Sequence, residues 1–304
     1  MSALASPETI PIRAASEPPR VLAPPADVFA RRARRFEQLA EGHSMAGWLR
    51  FLAVISSVQH EALLGLPALP LPDASTLARS REHRMPPLPA QTWRRDVEWQ
   101  ALLRQIAADL LPAAPEAARA HLARLRTLPA EALEKLAERV LHTELYGDDA
   151  ALLPYVAATL QVLWTALARR IAPVAPLDVP GICPCCGFLP VASIVKSIGD
   201  VANLRYLHCA LCGTEWNMVR IKCAACEATE GIAYRQLEGE GIASPGAVRA
   251  ETCESCRSYL KIVYLEKGGV DPVADDLATL ALDILVDEAG YARAGPNLLF
   301  VPGG

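Results

Sequence analysis

Two hydropathy patterns divide the chain. Through residues 27–171 apolar side chains recur every three to four positions, and beyond about residue 180 they alternate with polar ones in short runs. The first pattern predicts helices at 27–41, 44–64, 92–111, 115–127, 130–146 and 150–171. Asp27 and Ser44 serve as N-caps, and Pro112, Pro129 and Gly147 as breaks. A Pro-rich connector from Pro67 to Pro89 reads as too broken for a regular element. Short links between the later helices favour antiparallel packing, with Trp48, Trp93, Trp99 and Trp164 between helices. The second pattern predicts strands at Val191–Ile198, Leu204–His208, Glu215–Ile221, Ile232–Leu237 and Ser258–Tyr264. Asp271-Pro272 then opens a last helix stopping near Gly290, with Val273, Leu277, Leu280 and Ile284 on its apolar face.

Composition separates several classes. Of 304 residues, 52% are hydrophobic and 21% charged, which supplies a core and argues against general disorder. The segment 1–26 is Pro- and Ala-rich and lacks a continuous apolar run, so it reads as a disordered tail and not a signal peptide. Arg31-Arg32-Ala33-Arg34-Arg35 superficially resembles a twin-arginine signal, but Glu37 and Glu41 follow, so an exposed helix face is expected. The uncharged run Ala150 to Ala168 approaches the length of a membrane span. Pro154, Thr159, Gln161, Thr165 and many alanines make it a buried bundle helix instead, so no membrane insertion is expected.

The cysteines carry the chemistry. All nine lie between Cys183 and Cys256, and eight form C-x-x-C pairs: Cys183/Cys186, Cys209/Cys212, Cys223/Cys226 and Cys253/Cys256. Each pair turns two sulfurs to one side of a tight knuckle, and two knuckles complete a tetrahedral S4 site. Gaps of 22 and 26 residues within consecutive pairings each hold a two-stranded hairpin, so first with second and third with fourth is the expected arrangement. Each unit then resembles a zinc ribbon or rubredoxin in size. Gly187 and Gly213 follow the first two knuckles, where positive φ is useful; Glu227 and Arg257 follow the other two, predicting a looser second site or a less tightly held metal there. Cys185 reads as a spare thiol and His208 as a strand-face histidine. Zinc and iron both accept four thiolates; zinc would be a structural staple, iron a one-electron couple.

Charge bears on partners. Residues 1–177 carry a net +2 and residues 178–304 a net −6. Tetrathiolate centres would make the second part more negative still, the wrong sign for phosphate contacts, so no nucleic acid is expected. Tyr206, Trp216, Tyr234 and Tyr259 are expected to cover small ribbon cores and not to stack bases. No Gly-rich phosphate loop or nucleophile elbow is present and each S4 site is coordinatively closed, so the chain reads as a non-enzyme.

The ordered string Cys183-Pro-x-Cys-Gly, Leu204-Arg-Tyr-Leu-His-Cys-x-Leu-Cys, Thr214-Glu-Trp, Lys222-Cys-x-x-Cys, Cys253-x-x-Cys-x-x-Tyr-Leu-Lys261, Val273-Ala-Asp-Asp-Leu-Ala-Thr-Leu and Gly290-Tyr-Ala-Arg resembles the formate dehydrogenase accessory protein family, FdhE. Arg257 departs from it, since Gly follows the last cysteine in other members. The resemblance implies a cytoplasmic maturation protein that contacts the formate dehydrogenase catalytic subunit before export. It also implies two iron ions held in a rubredoxin-like manner. Cys183, Cys186, Cys209 and Cys212 would hold one iron, and Cys223, Cys226, Cys253 and Cys256 the other. The expected fold class is α+β, an N-terminal helical bundle-like domain followed by two rubredoxin-like/zinc-ribbon metal modules and a C-terminal helix. The expected division is a disordered tail over 1–26, a helical domain over 27–178, modules over 179–222 and 223–268, and a helix and tail over 269–304. The acidic face of the last helix and the segment Tyr291 to Phe300 are candidate client-facing surfaces, and equally fit a docked helix and a loose terminus.

Overall fold

A computed structural model describes residues 17–95, 98–171, 174–238 and 246–301. The helical part contains α1 (Val28–Ala40), α2 (Ala46–Gly65), α3 (Ala74–Glu82), α4 (Glu98–Leu110), α5 (Glu116–Thr127), α6 (Ala130–Leu141) and α7 (Leu153–Ala168). Helix α7 lies at its centre, packed by α2, α4 and α6. The apolar run of α7 is long enough to cross a membrane, yet 83% of it is buried inside the protein. Trp99 and Trp164 are fully buried, while Trp48 and Trp93 are half-buried against the same core.

Two helical expectations need correction. The Pro-rich connector contains α3, because its prolines flank a proline-free stretch and Asp73 caps it by accepting from the Thr76 amide at 2.7 Å. The arginine-rich turn of α1 is only partly an exposed face. Arg31 and Arg34 are exposed, but Arg32 is buried 3.3 Å from Asp271, and Arg35 reaches Asp275.

The remainder forms β2 (Pro190–Ile198), β3 (Val201–Cys209), β4 (Glu215–Asn217), β5 (Ile232–Arg235), β6 (Val248–Cys253), β7 (Ser258–Tyr264), α8 (Pro272–Leu277), α9 (Leu280–Glu288) and β8 (Ala292–Arg293). With β1 (Val21–Leu22), they make one eight-stranded sheet in the order β1-β4-β3-β2-β7-β6-β5, with β8 beside β7. The two cysteine hairpins are therefore halves of one sheet, joined by parallel pairing of Ser193–Val195 with Ile262–Tyr264.

The segment expected as a disordered tail contributes to this sheet. Val21 pairs with Trp216, and the Pro19 carbonyl accepts from the Tyr206 hydroxyl at 2.7 Å; residues 1–16 lie outside the described residues. The last helix is two, because Thr279 turns its hydroxyl onto the Asp275 carbonyl and Lys261 Nζ takes the carbonyls of Asp276 and Thr279. The break rotates the apolar face. Val273 and Leu277 stay buried, Leu282 and Val286 replace the expected continuation, and Ile284 is 60% exposed. The terminal segment is packed: Tyr291, Leu298 and Leu299 are buried, and Asn297 donates to Asp276 at 2.8 Å. Most acidic side chains of α8 also point inward, where Arg35, Lys261 and Arg293 pair with them.

Candidate metal centres

The knuckles that open the two units are built by the same backbone turn, and the second knuckle shares part of it. The Cys183 amide donates to the Phe188 carbonyl at 2.8 Å while the Gly187 amide returns to Cys183 O at 2.8 Å. Cys223 repeats this with Ala228 at 2.8 Å and Glu227 at 3.1 Å, and the Cys209 amide donates to Thr214 O at 2.9 Å. The turn needs a left-handed residue after its second cysteine. Gly187 (φ +74°) and Gly213 (φ +70°) supply it in the first unit. Glu227 (φ 67°) and Arg257 (φ 53°) adopt the same conformation in the second, so glycine is not required for the turn itself. Glycine instead eases what lies over it. A Cβ at Gly187 would stand 3.2 Å from Pro86, and one at Gly213 would stand 3.3 Å from Pro24.

These turns bring the eight paired cysteines together as two groups, Cys183/Cys186/Cys209/Cys212 and Cys223/Cys226/Cys253/Cys256, with the four sulfurs of each within 4.8 Å of one another. Across the first group Cys183 and Cys212 are 3.5 Å apart and Cys186 and Cys209 are 3.4 Å apart. Across the second, Cys223–Cys256 and Cys226–Cys253 are each 3.7 Å apart. A tetrahedron with metal–sulfur bonds of about 2.3 Å has edges of about 3.8 Å, so both donor sets fit one four-coordinate ion with slight expansion. Backbone amides already aim at the sulfurs: Leu211 and Cys212 donate to Cys209 Sγ, and Ala225 donates to Cys223 Sγ, each at 3.4 Å.

The electrostatics of the first group call for a cation. Burial pushes the Cys183 and Cys186 thiols well above their ordinary range. Cys212 is desolvated too, but hydrogen bonds from Cys183, Cys185 and Cys186 hold it well below. Four thiolates packed this closely in a buried pocket repel one another, and a cation at the centre lets them deprotonate together. In the second group Cys256 is pulled down to about 7, since the Ser258 hydroxyl at 2.9 Å and the neighbouring sulfurs outweigh its desolvation. Zinc bound here would cross-link the knuckles; iron would add a one-electron couple.

Helix α7 and the connector after α3 secure the first group. Gln161 Nε2 donates to Ala210 O at 2.8 Å, and the Thr165 hydroxyl donates to Cys212 O at 3.3 Å. From the other side, the amides of Leu88 and Ala90 donate to the carbonyls of Cys185 and Cys186 at 3.0 and 2.9 Å, and Trp164 Nε1 holds Leu88 O at 3.2 Å. In the sequence Gln161 and Thr165 stand only as marks against a membrane span. Their i,i+4 spacing inside an apolar helix was the available signal for a buried polar contact.

Cys185 is buried beside Cys212 but outside the four-sulfur group. His208 also stands outside it, with Nδ1 3.4 Å from Glu215 Oε1. Burial alone would raise Glu215, but His208 and Lys196 hold its carboxyl down to about 2. Arg205 was not singled out from the sequence. Wholly buried, it donates to the carbonyls of Val219, Arg220 and Lys222, which lead into the second group, and to Glu251.

Three family models match consecutive stretches of the chain: "FdhE, N-terminal" over residues 17–178, "FdhE, central domain" over 182–220 and "FdhE, C-terminal domain" over 221–300. A Pseudomonas aeruginosa protein named "Protein FdhE homolog" is 42% identical over 295 residues, covering 96% of each chain. One of the same name from Edwardsiella ictaluri is 41% identical, covering 91% of this chain and 89% of its own. The crystal structure of the FdhE protein from Pseudomonas aeruginosa superposes with a TM-score of 0.81 at 39% identity, over 94% of this chain and all of that one. With its two four-cysteine groups set in a shared sheet beneath a helical domain, the chain belongs to the FdhE family.

Proposed function

We propose that this protein serves the maturation of respiratory formate dehydrogenase as a non-catalytic accessory factor. It acts in the cytoplasm, contacts the catalytic subunit before export, and carries one iron in each four-cysteine group. The observation that carries the reading is the pair of S4 groups, with sulfur separations of 3.4–3.7 Å, in a chain of this family. Cys183, Cys186, Cys209 and Cys212 hold one ion; Cys223, Cys226, Cys253 and Cys256 hold the other. Four thiolates fill each coordination sphere, leaving no open position for substrate, which fits binding and not catalysis. Deleting the gene and assaying formate oxidation tests this reading. Loss of activity, with co-purification of the catalytic subunit by the restored chain, supports it; unchanged activity and subunit assembly overturn it.

A rubredoxin-like electron carrier is the second reading, favoured by the exposure of Cys226 and Cys256, which brings one centre to the surface where electrons can pass. Metal analysis of protein purified natively without air tests this second reading, since a colourless zinc-only protein cannot be a one-electron carrier; that outcome also removes the iron from the first reading and leaves its accessory role standing.

A further inference from the structure

The two four-cysteine groups share a turn and a sheet but not an environment. In the first, residues 183–186 and 209–214 are all buried. In the second, residues 225–227 and 254–257 are all exposed, including Cys226 and Cys256. The residues ending each knuckle follow the same division. Gly187 and Gly213 lie under Pro86 and Pro24, where an added Cβ would be crowded at 3.2 and 3.3 Å, whereas half-exposed Glu227 and Arg257 pair with Lys222 and Glu254 at 2.6 and 2.7 Å, Arg257 also donating to Ala289 O at 2.9 Å. Val219 and Ile221, approaching Cys223, are 66% and 56% exposed. The exposed edge also contains one sulfur from each knuckle, Cys226 from the third pair and Cys256 from the fourth. The buried Cys223 and Cys253 stand behind them.

We propose that the second group is an exchangeable metal site, unloaded through the Cys226–Cys256 edge by a chelating ligand, while the first keeps its ion for as long as the domain stays folded. This rests on the reading of both groups as metal sites. Cys226 Sγ leaves with its electron pair as one donor atom of the incoming ligand bonds to the ion, and takes a proton from water. Cys256 follows as the second donor binds. Cys223 and Cys253 retain the ion until the last bonds exchange, and no electrons change hands. At the first group the same attack first requires α7 and the Leu88–Ala90 segment to separate from the knuckles, so its exchange is limited by local unfolding.

The test uses the full chain loaded with two zinc ions and challenged with 4-(2-pyridylazo)resorcinol, zinc release being followed by absorbance. Two phases of one equivalent each are expected, the faster by at least about tenfold because it needs no unfolding. Iodoacetamide labelling read by mass spectrometry should reach Cys226 and Cys256 during the fast phase and leave Cys183, Cys186, Cys209 and Cys212 unmodified. Cys226→Ser with Cys256→Ser should remove the fast equivalent and keep the slow one. Because the labelling is done on the unsubstituted protein, misfolding of the double variant does not decide the outcome. Release of both equivalents in a single phase, or labelling of the first group in the fast phase, overturns the proposal. A chain that takes up fewer than two ions fails earlier, and overturns the reading of the groups as metal sites.

Discussion

Arg205 Nη2 lies 2.7 Å from Glu251 Oε1, and this wholly buried pair joins β3 of the first cysteine unit to β6 of the second. The same guanidinium donates to three carbonyls just before Cys223, so one side chain positions the crossover between the units. Burial holds the Glu251 carboxyl above its ordinary range despite Arg205. Arg205→Ala should cost about 3–5 kcal/mol, because it strands both the carboxylate and the crossover carbonyls. Glu251→Gln should cost clearly less, since the amide still accepts from the guanidinium. Denaturant unfolding of the two variants checks this ranking, and equal losses would count against it.

Gln161 is a polar link between the helical core and the second knuckle of the first group, accepting from Gln59 at 2.9 Å while donating to Ala210 O at 2.8 Å. Gln161→Leu leaves the buried Ala210 carbonyl without a partner and takes one of two acceptors from the Gln59 amide, which keeps Ala158 O at 2.8 Å, an expected loss of about 2 kcal/mol. Zinc release from the first group should accelerate in parallel. Stability that falls with no change in release would show that the link serves the core alone.

Glu215 provides an acid-sensitive contact. Its carboxyl is held at about 2 against an ordinary 4.5, so its contribution is present above the ordinary value and disappears as pH falls toward 2. The full effect is at most about 3 kcal/mol, at about 1.4 kcal/mol per pH unit. Glu215→Gln should therefore narrow its stability deficit relative to the parent protein between pH 5 and pH 2. Metal loss in acid affects both proteins, so the difference between their unfolding curves is the quantity to measure. A deficit constant across that range would exclude Glu215 as its source.

The knuckle ends give opposite expectations for similar substitutions. Gly187→Ala places a methyl group in a left-handed position already 3.2 Å from Pro86, and should destabilise by about 1–2 kcal/mol. Glu227→Gly relieves the same conformation at an exposed position, losing only a surface pair with Lys222, and should range from neutral to about 1 kcal/mol stabilising. Thermal unfolding of the two variants tests both signs.

Local chemistry made much of this architecture legible. Helix α2, strand β7 and the consecutive pairing of cysteine knuckles follow from periodicity and spacing. What escaped depends on distant partners. Strand β6 contains Arg249 and Glu251 and lacks clean alternation, because Glu251 is turned inward to meet Arg205. The break between α8 and α9 follows from Lys261, on another strand, taking carbonyls that a continuous helix would use. Strand β1 is only two residues long, too short for a period to register, and is held by pairing with β4. The unequal cover of the two groups was only hinted at by the glycines, which report the proximity of Pro86 and Pro24 and not the ability to turn.

The parallel pairing of Ser193–Val195 with Ile262–Tyr264 sets an order of events during synthesis. The four cysteines of the first group emerge from the ribosome together with β2, β3 and β4 and can gather an ion early. The free edge of β2 has no partner until β7 has been made, by which time the last two cysteines of the second group have also emerged. The sheet therefore closes only when every sulfur is available, and a nascent chain interrupted before residue 258 exposes an open strand edge, a feature that invites aggregation or chaperone capture.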